Sequence, residues 1–455
     1  MNQTNQHQIL EDPEFRERLD EGARAVVRAL REAGHRALWA GGAVRDRLLG
    51  IPYNDIDIAT SAEPDEVEWL FPASVLVGKS FGVVRVKAGE TDYEVATFRR
   101  DGAYLDGRHP EEVVYADHPE VDARRRDFTV NALFYDPLEG RVLDFVGGSR
   151  DLASRTLRTV GDPSERFRED RLRLLRAIRF AAQLDFQIEA QTWEAIRLEA
   201  HRIGEISVER IRDELLRMLV RPRAGMAFRL LDESGLLGII LPEVERMKGV
   251  AQPDEYHPEG DVFIHTLLLL DHLDNPTPEL ALGALFHDIA KPDTYSVSDR
   301  IRFNGHDKLG AEMVIRIADR LRFPNRMTER VRDLVAQHMR IGQAKKMKPS
   351  TLKRMLRSEL FPELLELHRL DCLASHRDLE LHDYCAEHLA TLPKEELRPP
   401  RLLSGHDLIE LGFKPGPKFK EILSEVEDLQ LEGRLASREE ALEYVRTKQA
   451  QPGED

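Results

Sequence analysis

Cysteine is almost absent from the 455-residue chain: Cys372 and Cys385 are the only two, and no CxxC pair occurs. That excludes a disulfide framework and a thiolate zinc site, and points to a reducing, cytoplasmic setting. Long apolar runs are missing as well. The run at 267–270 is broken by Asp271 and His272, far short of the roughly 18–20 residues that cross a bilayer, so no membrane partner is expected. Residues 1–14 are polar and hold no signal-peptide core. Positive charge is in deficit, with 66 Lys and Arg against 82 Asp and Glu and a net charge of −16. A nucleic-acid partner would have to be met by local basic clusters. Arg124-Arg125-Arg126, Lys345-Lys346 with Lys348, Lys353-Arg354 and Lys414/Lys418/Lys420 are such clusters, although each alone equally describes a solvated face. There is no internal repeat and no low-complexity tract.

What is present is a core-forming composition, 41% hydrophobic and 33% charged, in a chain long enough for several domains. Up to about residue 163 the pattern mixes strands and helices. A short apolar strand at 37–40 runs into Gly41-Gly42, and a helix follows over 44–49. Residues 55–59 alternate at period two, and further strand signals lie at 83–86 and 93–97. Residues 99–120 read as a long connection punctuated by Gly102, Gly107, Pro110 and Pro119. From Ser164 onward helical periodicity takes over, at 168–183, 192–200 and 208–220. Residues 246–262 read as a linker. A helical, histidine-bearing block then runs to about 392, and a charged helical tail follows Pro399-Pro400.

The alternation at 55–59 puts Asp55 and Asp57 on one strand face. Two carboxylates so placed repel unless a cation lies between them, and Mg²⁺ prefers oxygen ligands and phosphates. Alone, the pair equally describes exposed acids at a strand end. The upstream Gly41-Gly42-Ala43-Val44-Arg45-Asp46 adds a phosphate-compatible turn: glycines allow close backbone approach, a helix N-terminus favours anions, and Arg45 offers a donor fork. The GxxxxGK[ST] phosphate loop is absent.

Gly41 to Asp46, Leu49-Gly50 and Asp55-Ile56-Asp57-Ile58-Ala59-Thr60 resemble the head of the class II tRNA nucleotidyltransferases and bacterial poly(A) polymerases, which are polymerase-β-like nucleotidyltransferases. Further matching segments are Arg125-Arg126-Asp127-Phe128-Thr129-Val130-Asn131-Ala132 and Leu157-Arg158-Thr159-Val160-Gly161-Asp162. Phe167-Arg168-Glu169-Asp170-Arg171-Leu172-Arg173, Ile206-Ser207-Val208-Glu209-Arg210 and Gly235-Leu236-Leu237 continue the match. It spans roughly residues 24–245, and the tail at 401–445 is similar as well. The resemblance implies an α+β fold. A nucleotidyltransferase head with a mixed sheet and helices (24–163) follows an N-terminal extension (1–23). An all-helical neck (164–245), an HD domain (246–392) and a helical tail (393–455) complete it. It further implies Mg²⁺ on Asp55 and Asp57, with Glu94 as a third acidic group. Nucleotide binding is implied at Gly41, Gly42, Arg45, Arg126, Asp127, Asn131, Asp170, Arg173, Arg176 and Arg179, with ribose contacts from Arg126, Asp127 and Asn131.

Asp170 and Arg173, at i and i+3, would share a helix face. On their own they describe an ordinary intrahelical ion pair. In the family this motif selects the base. An accepting Asp and a donating Arg suit cytosine and adenine and mispair with guanine and uracil. The loop 99–120 corresponds to the family's flexible loop, and its presence argues against an enzyme adding only CC. In the second half, His265, His287-Asp288 and Asp371 resemble the H…HD…D pattern of HD phosphohydrolases, with His306 and His338 as extra candidates. That set suits a divalent transition metal; a degenerate HD scaffold that only supports tRNA is the bland alternative. The implied function is template-independent addition of AMP, and of CMP as well, to a tRNA 3′ end, with ATP, CTP and tRNA as partners. An A-adding enzyme, a poly(A) polymerase and an HD phosphohydrolase remain as alternatives.

Overall fold

The computed structural model describes residues 12–78, 82–102, 113–253, 255 and 257–450. The chain divides into two compact units. The first holds residues 1–245 with 273–275 and 320–322, and the second holds the remainder of 246–455. Among the described residues, no helix is long and apolar enough to cross a membrane.

The first unit opens with the helix Pro13–Glu32. Asp12 caps it by accepting from the Glu14 amide, and Pro13 occupies the first turn, where its missing N–H costs nothing. Leu19, Ala23, Val26, Val27 and Leu30 recur at helical spacing and are all buried. The strands that follow are β1 (Ala37–Ala40), β2 (Asp57–Thr60), β3 (Val75–Gly78), β4 (Val83–Ala88), β5 (Thr91–Thr97), β6 (Arg99–Asp101), β7 (Val113–Tyr115), β8 (Phe134–Asp136) and β9 (Arg141–Leu143). Seven of them form one sheet in the order β3-β4-β5-β2-β1-β8-β9. The sheet is mixed: β2 and β5 run parallel, with Ile58 opposite Val95, and the other neighbours are antiparallel. Leu38, Ala40, Ala59, Phe98, Ala132 and Phe134 build the core on one face.

Three sequence expectations shift here. The strand expected at 55–59 begins at Asp57 and runs to Thr60. The connection at 99–120 contains the antiparallel pair β6–β7 and the start of the helix Pro119–Arg125; residues 103–112 lie outside the described residues. The helix expected over 168–183 is two helices, Pro163–Glu169 and Leu172–Leu184, separated at Asp170. Asp170 adopts an extended backbone, φ −141° and ψ 105°, which no helix continues through. The neck is otherwise helical, apart from Gln187–Ile188, which pairs in parallel with Thr156–Leu157.

The second unit is mainly helical. One hairpin, Tyr295–Val297 with Ile301–Phe303, interrupts what the sequence presents as an all-helical block. The expected linker at 246–262 carries an antiparallel bridge, Ala251 to Asp261. Asp261 caps the helix Val262–Asp271, and Thr277 caps Pro278–Phe286. In the tail, Leu403, Leu408, Val426, Leu429 and Val445 share a core with the helix Pro417–Leu431. Cys372 and Cys385 are buried and free. In this unit, three residues of the expected basic clusters carry acidic partners: Lys345 with Glu380, Lys353 with Glu396, and Arg354 with Glu427 and Asp428.

Candidate active site

A cleft of about 420 Å³ opens in the first unit, lined by Gly41, Gly42, Arg45, Asp57, Arg125, Arg126, Asp127, Asn131, Asp170, Arg173, Arg176 and Phe180. Gly41 leaves β1 with φ 72° and ψ −137°, a conformation that side chains resist. A Cβ there would sit 3.3 Å from Arg126 Nη1 and 3.5 Å from Asp57 Oδ2. The turn therefore sets the helix Gly42–Leu49 with its N-terminus beside the carboxylate.

Asp55 and Asp57 are exposed and flank the buried Ile56. The protein packed behind them desolvates both carboxyls. Burial raises the pKa of Asp55, with Asp46 and Glu94 adding like charge. Asp57 is pushed up to about 6, by burial first and by Asp55 second, against the pull of Arg126. Glu94 stands on β5, one step before the Ile58–Val95 pairing. Three acids thus crowd a solvent-facing edge, a donor set of hard oxygens that a divalent cation would relieve.

Arg45 behaves differently from its sequence expectation. Its guanidinium is buried, bonded by Nε and Nη2 to Asp46 and by Nη1 to Asn131 Oδ1 at 2.6 Å. Asn131 in turn donates to Asp127 Oδ1 at 3.2 Å, which also accepts from the Phe128 amide. Asp127 Oδ2 receives two bonds from Arg176, at 2.9 and 2.6 Å. All four lone-pair sites of Asp127 are then occupied. Burial would raise its pKa, but Arg176 outweighs that and holds it at about 2. A ribose hydroxyl reaches Asp127 only by displacing one of these donors. Asp122, buried below, gathers Arg125 and Arg126 together.

The segment around Asp127 is braced by a second motif. Thr129 N donates to Arg158 O, and Val160 N donates to Asp127 O. Thr129 Oγ1 also donates to the buried Asp151 at 2.7 Å. Gly148 packs against the same turn: a Cβ there would lie 2.2 Å from the Thr129 carbonyl oxygen. Backbone cannot yield as a flexible side chain would, so Gly148→Ala should destabilise this unit by roughly 3 kcal/mol. All three tryptophans, Trp39, Trp69 and Trp193, lie in the first unit, so urea unfolding followed by tryptophan fluorescence reads it selectively. An unchanged midpoint would show that the turn can relax.

Asp170 and Arg173 both line the cleft, but the helix break at Asp170 keeps them from sharing one helix face, and they do not pair with each other. Both Asp170 oxygens accept from Arg210 Nη2, at 3.1 and 2.9 Å. Arg173 donates to Glu169 at 2.6 Å, to Arg166 O and to Arg125 O. Arg179 is not among the cleft-lining residues. It pairs with the fully buried Glu214 at 2.7 Å, and burial lowers its pKa. The sequence reading overlooked Phe180, whose ring lies beneath the guanidiniums of Arg45, Arg176 and Arg179 at 5.2, 5.2 and 4.2 Å. Its position four residues after Arg176 was the available signal. Arg125, Glu169 and Arg210 lie inside the matching segments, and the contacts of Arg125 and Arg210 here depend on long-range partners.

In the second unit, His265, His287, Asp288, His306, His338 and Asp371 converge. His265 Nε2 lies 3.0 Å from Asp371 Oδ1 and its Nδ1 lies 2.7 Å from Glu259 Oε1. Neither contact has hydrogen-bonding geometry, and neither has the 3.1 Å approach of His287 Nε2 to Asp288 Oδ2. Asp371 and Glu259 together carry the pKa of His265 to about 9 against the effect of burial. Lys291 contacts Asp288 Oδ2 at 2.6 Å. Buried imidazole nitrogens facing carboxylates form a donor set that could hold a metal ion.

Residues 37–158 match the family described as the poly A polymerase head domain. Residues 185–248 match the probable RNA- and SrmB-binding site of polymerase A, and 261–375 match the HD domain. Head and neck are thus similar to the domains of poly A polymerases, and the segment after them is similar to the HD domain. The chain is 47% identical over 214 residues to the CCA-adding enzyme of Geobacillus thermodenitrificans, which is 47% of this chain and 53% of that protein. It is 44% identical over 226 residues to that of Anoxybacillus flavithermus, 50% of this chain and 56% of that protein. It thus spans about half the length of the curated relatives it matches. The fold is also similar to the CCA-adding enzyme of Bacillus stearothermophilus in complex with CTP. The TM-score is 0.72 at 28% identity, over 96% of this chain and 99% of that one.

Proposed function

We propose that the protein adds nucleotides to the 3′ end of tRNA without a template, completing the CCA terminus from CTP and ATP and releasing pyrophosphate. The observation that carries this reading is the single cleft that brings Asp57, the Gly41 turn, Asp170 and Arg173 together. Metal-binding, phosphate-binding and base-selecting groups are all in reach of one nucleotide. Relatives at 47% and 44% identity that are CCA-adding enzymes support it, as does a similar structure that holds CTP.

Asp55 and Asp57 would hold Mg²⁺, which supplies charge stabilisation to the attacking 3′-hydroxyl and the departing pyrophosphate. The backbone amides after Gly41 face the triphosphate. Arg126, fixed by Asp122 and by the Asn131 carbonyl, stands beside Asp57. Phe180 keeps Arg45 and Arg176 in plane below the base, and Asp127 fixes Arg176. Asp170 accepts from the exocyclic amine of cytosine or adenine, and Arg173 donates to the unprotonated ring nitrogen. Guanine and uracil would leave both unmatched.

The test is to offer tRNA ending before CCA, after C and after CC, with CTP, ATP or both, and to count the additions. Addition of C, C and A in order supports the reading. Addition of A to CC ends alone identifies an A-adding enzyme, and unlimited A addition a poly(A) polymerase.

A second reading concerns the HD cluster, favoured by its unpartnered buried imidazoles: a divalent transition metal there supports phosphohydrolysis separate from transfer. His287→Ala should then abolish metal-dependent phosphatase or cyclic phosphodiesterase activity and leave nucleotide addition within about twofold of wild type, since changes at distant sites act nearly independently. Assays with Mg²⁺, Mn²⁺, Co²⁺ and Ni²⁺ decide. No hydrolysis by the wild type with any of them leaves a scaffold that only supports tRNA.

A further inference from the structure

We propose that Tyr53 is a positioning residue for metal binding: its phenol, clamped between Asp20 and Arg47, fixes the loop that carries Asp55. The inference rests on the proposed role of Asp55 and Asp57 as the Mg²⁺ ligands. Tyr53 lies between the Gly41 turn and the carboxylate pair, and none of the matching segments contains it.

The two carboxylates are not held alike. Asp57 opens β2, and its backbone is paired with Ala40 of β1. Asp55 stands two residues earlier, in a segment that belongs to no helix or strand. That segment leaves the helix Gly42–Leu49 through Gly50, at φ 69°, and the Ile51 amide still donates to the Asp46 carbonyl. Of residues 51–56, only Tyr53 and Ile56 are buried. Ile56 is an apolar anchor, and apolar burial has no direction. Direction comes from Tyr53. Its hydroxyl donates to Asp20 Oδ1 at 2.8 Å and accepts from Arg47 Nη1 at 3.1 Å. Arg47 Nη1 also donates to Asp20 Oδ2 at 2.9 Å. One oxygen thus uses a donor and an acceptor site, each on a charged partner, which fixes the end of the ring.

The partners are themselves fixed. Asp20 belongs to the helix Pro13–Glu32, whose Leu19 and Ala23 are fully buried. The Arg47 guanidinium lies over the rings of Trp39 and Tyr135, 5.7 and 5.0 Å from their centroids. That of Arg16 lies 5.8 Å from the centroid of Tyr53 itself. The first helix, the helix after the Gly41 turn and the carboxylate loop therefore meet at one hydroxyl. A phenylalanine would fill the same space and leave Asp20 and Arg47 paired with each other, so the fold should survive while the loop loses its directional tie. Asp55 would then spread over positions around the one that serves a cation. Loss of an outer contact that aims a metal ligand typically weakens metal binding by about 10–100-fold.

Hydrogen exchange of the metal-free, full-length protein, read by mass spectrometry, tests the tie. In Tyr53→Phe the amides of residues 51–57 should exchange about tenfold faster, roughly the effect of one lost hydrogen bond, with those of β4 and β5 unchanged. The Mg²⁺ concentration for half-maximal addition of AMP to a CC-ending tRNA should rise about tenfold. The rate at saturating Mg²⁺ should stay within about twofold of wild type, because the ligands themselves are intact. Asp20→Asn, which keeps an acceptor and removes the charge, should move both quantities the same way by less, and it decides if Tyr53→Phe does not fold. Unchanged exchange at 51–57 overturns the proposal, and so does an unmoved Mg²⁺ requirement. Faster exchange throughout the head with a lower rate at every Mg²⁺ concentration also overturns it, since Tyr53 would then be a general core residue. Exchange is read without substrate, so a wild type that adds no nucleotide would count against the proposed function while the exchange result still decides the tie.

Discussion

Asp57→Ala should lower nucleotide addition about a thousandfold or more while leaving the protein folded. Asp57 is the carboxylate at the start of β2, beside Gly41 and within reach of Arg126. A metal bound there contributes several kcal/mol of charge stabilisation during phosphoryl transfer, and each 1.36 kcal/mol or so is a factor of about ten in rate. Removing a carboxylate also relieves its repulsion with Asp55, so the variant should be no less stable than wild type. Single-turnover addition of AMP to a CC-ending tRNA, with Mg²⁺ as the sole divalent ion, gives the rate, and tryptophan fluorescence gives the folding control. Turnover within tenfold of wild type would remove Asp57 from the metal-binding role.

The second large effect concerns base choice. Arg173→Ala should raise GTP or UTP incorporation relative to ATP by about ten- to hundredfold, from roughly 1–3 kcal/mol for a polar group left unmatched. Under the proposed function the triphosphate is held elsewhere, near Gly41 and Gly42, so discrimination should fall further than nucleotide affinity. The geometry sharpens the control. Arg173 also ties Glu169 to the Arg125 carbonyl, so a purely structural role would depress all four nucleotides alike. Single-turnover addition to a CC-ending tRNA with each nucleotide alone separates the two outcomes. A variant that keeps full preference for ATP shows Arg173 to be a brace between Glu169 and Arg125.

Much of the head was legible because its chemistry is local. The strand-to-helix turn at Gly41 and the Asp55/Asp57 spacing each depend on a few neighbouring residues. What escaped depends on long-range partners. Asp170 and Arg173 look like one helix face until Arg210, 40 residues later, takes the carboxylate and the backbone breaks between them. Arg45 and Asp127 look free for ligand until Asn131 and Arg176 occupy them. Arg179 follows the helical spacing of Arg173 and Arg176, yet it turns to Glu214, which no periodicity announces. Phe180 reads as core from composition, and only the three guanidiniums above it show its second use. The hairpin at 295–303 is too short for its alternation to stand out against the helices around it.

The ion pairs that line the cleft bear on how it meets salt. Arg45 is matched by Asp46, Arg125 and Arg126 by Asp122, Arg173 by Glu169, and Arg176 by Asp127. The cleft thus arrives with its counter-ions built in. A triphosphate entering it exchanges few mobile ions with the solvent, so monovalent salt has little purchase on nucleotide affinity. The divalent ions that accompany the triphosphate govern it instead. Under the proposed function, ionic-strength dependence then belongs to the tRNA, whose polyanionic backbone must release condensed cations wherever it lies on exposed lysines and arginines. A chain of net charge −16 can in this way keep one substrate indifferent to the salt that loosens the other.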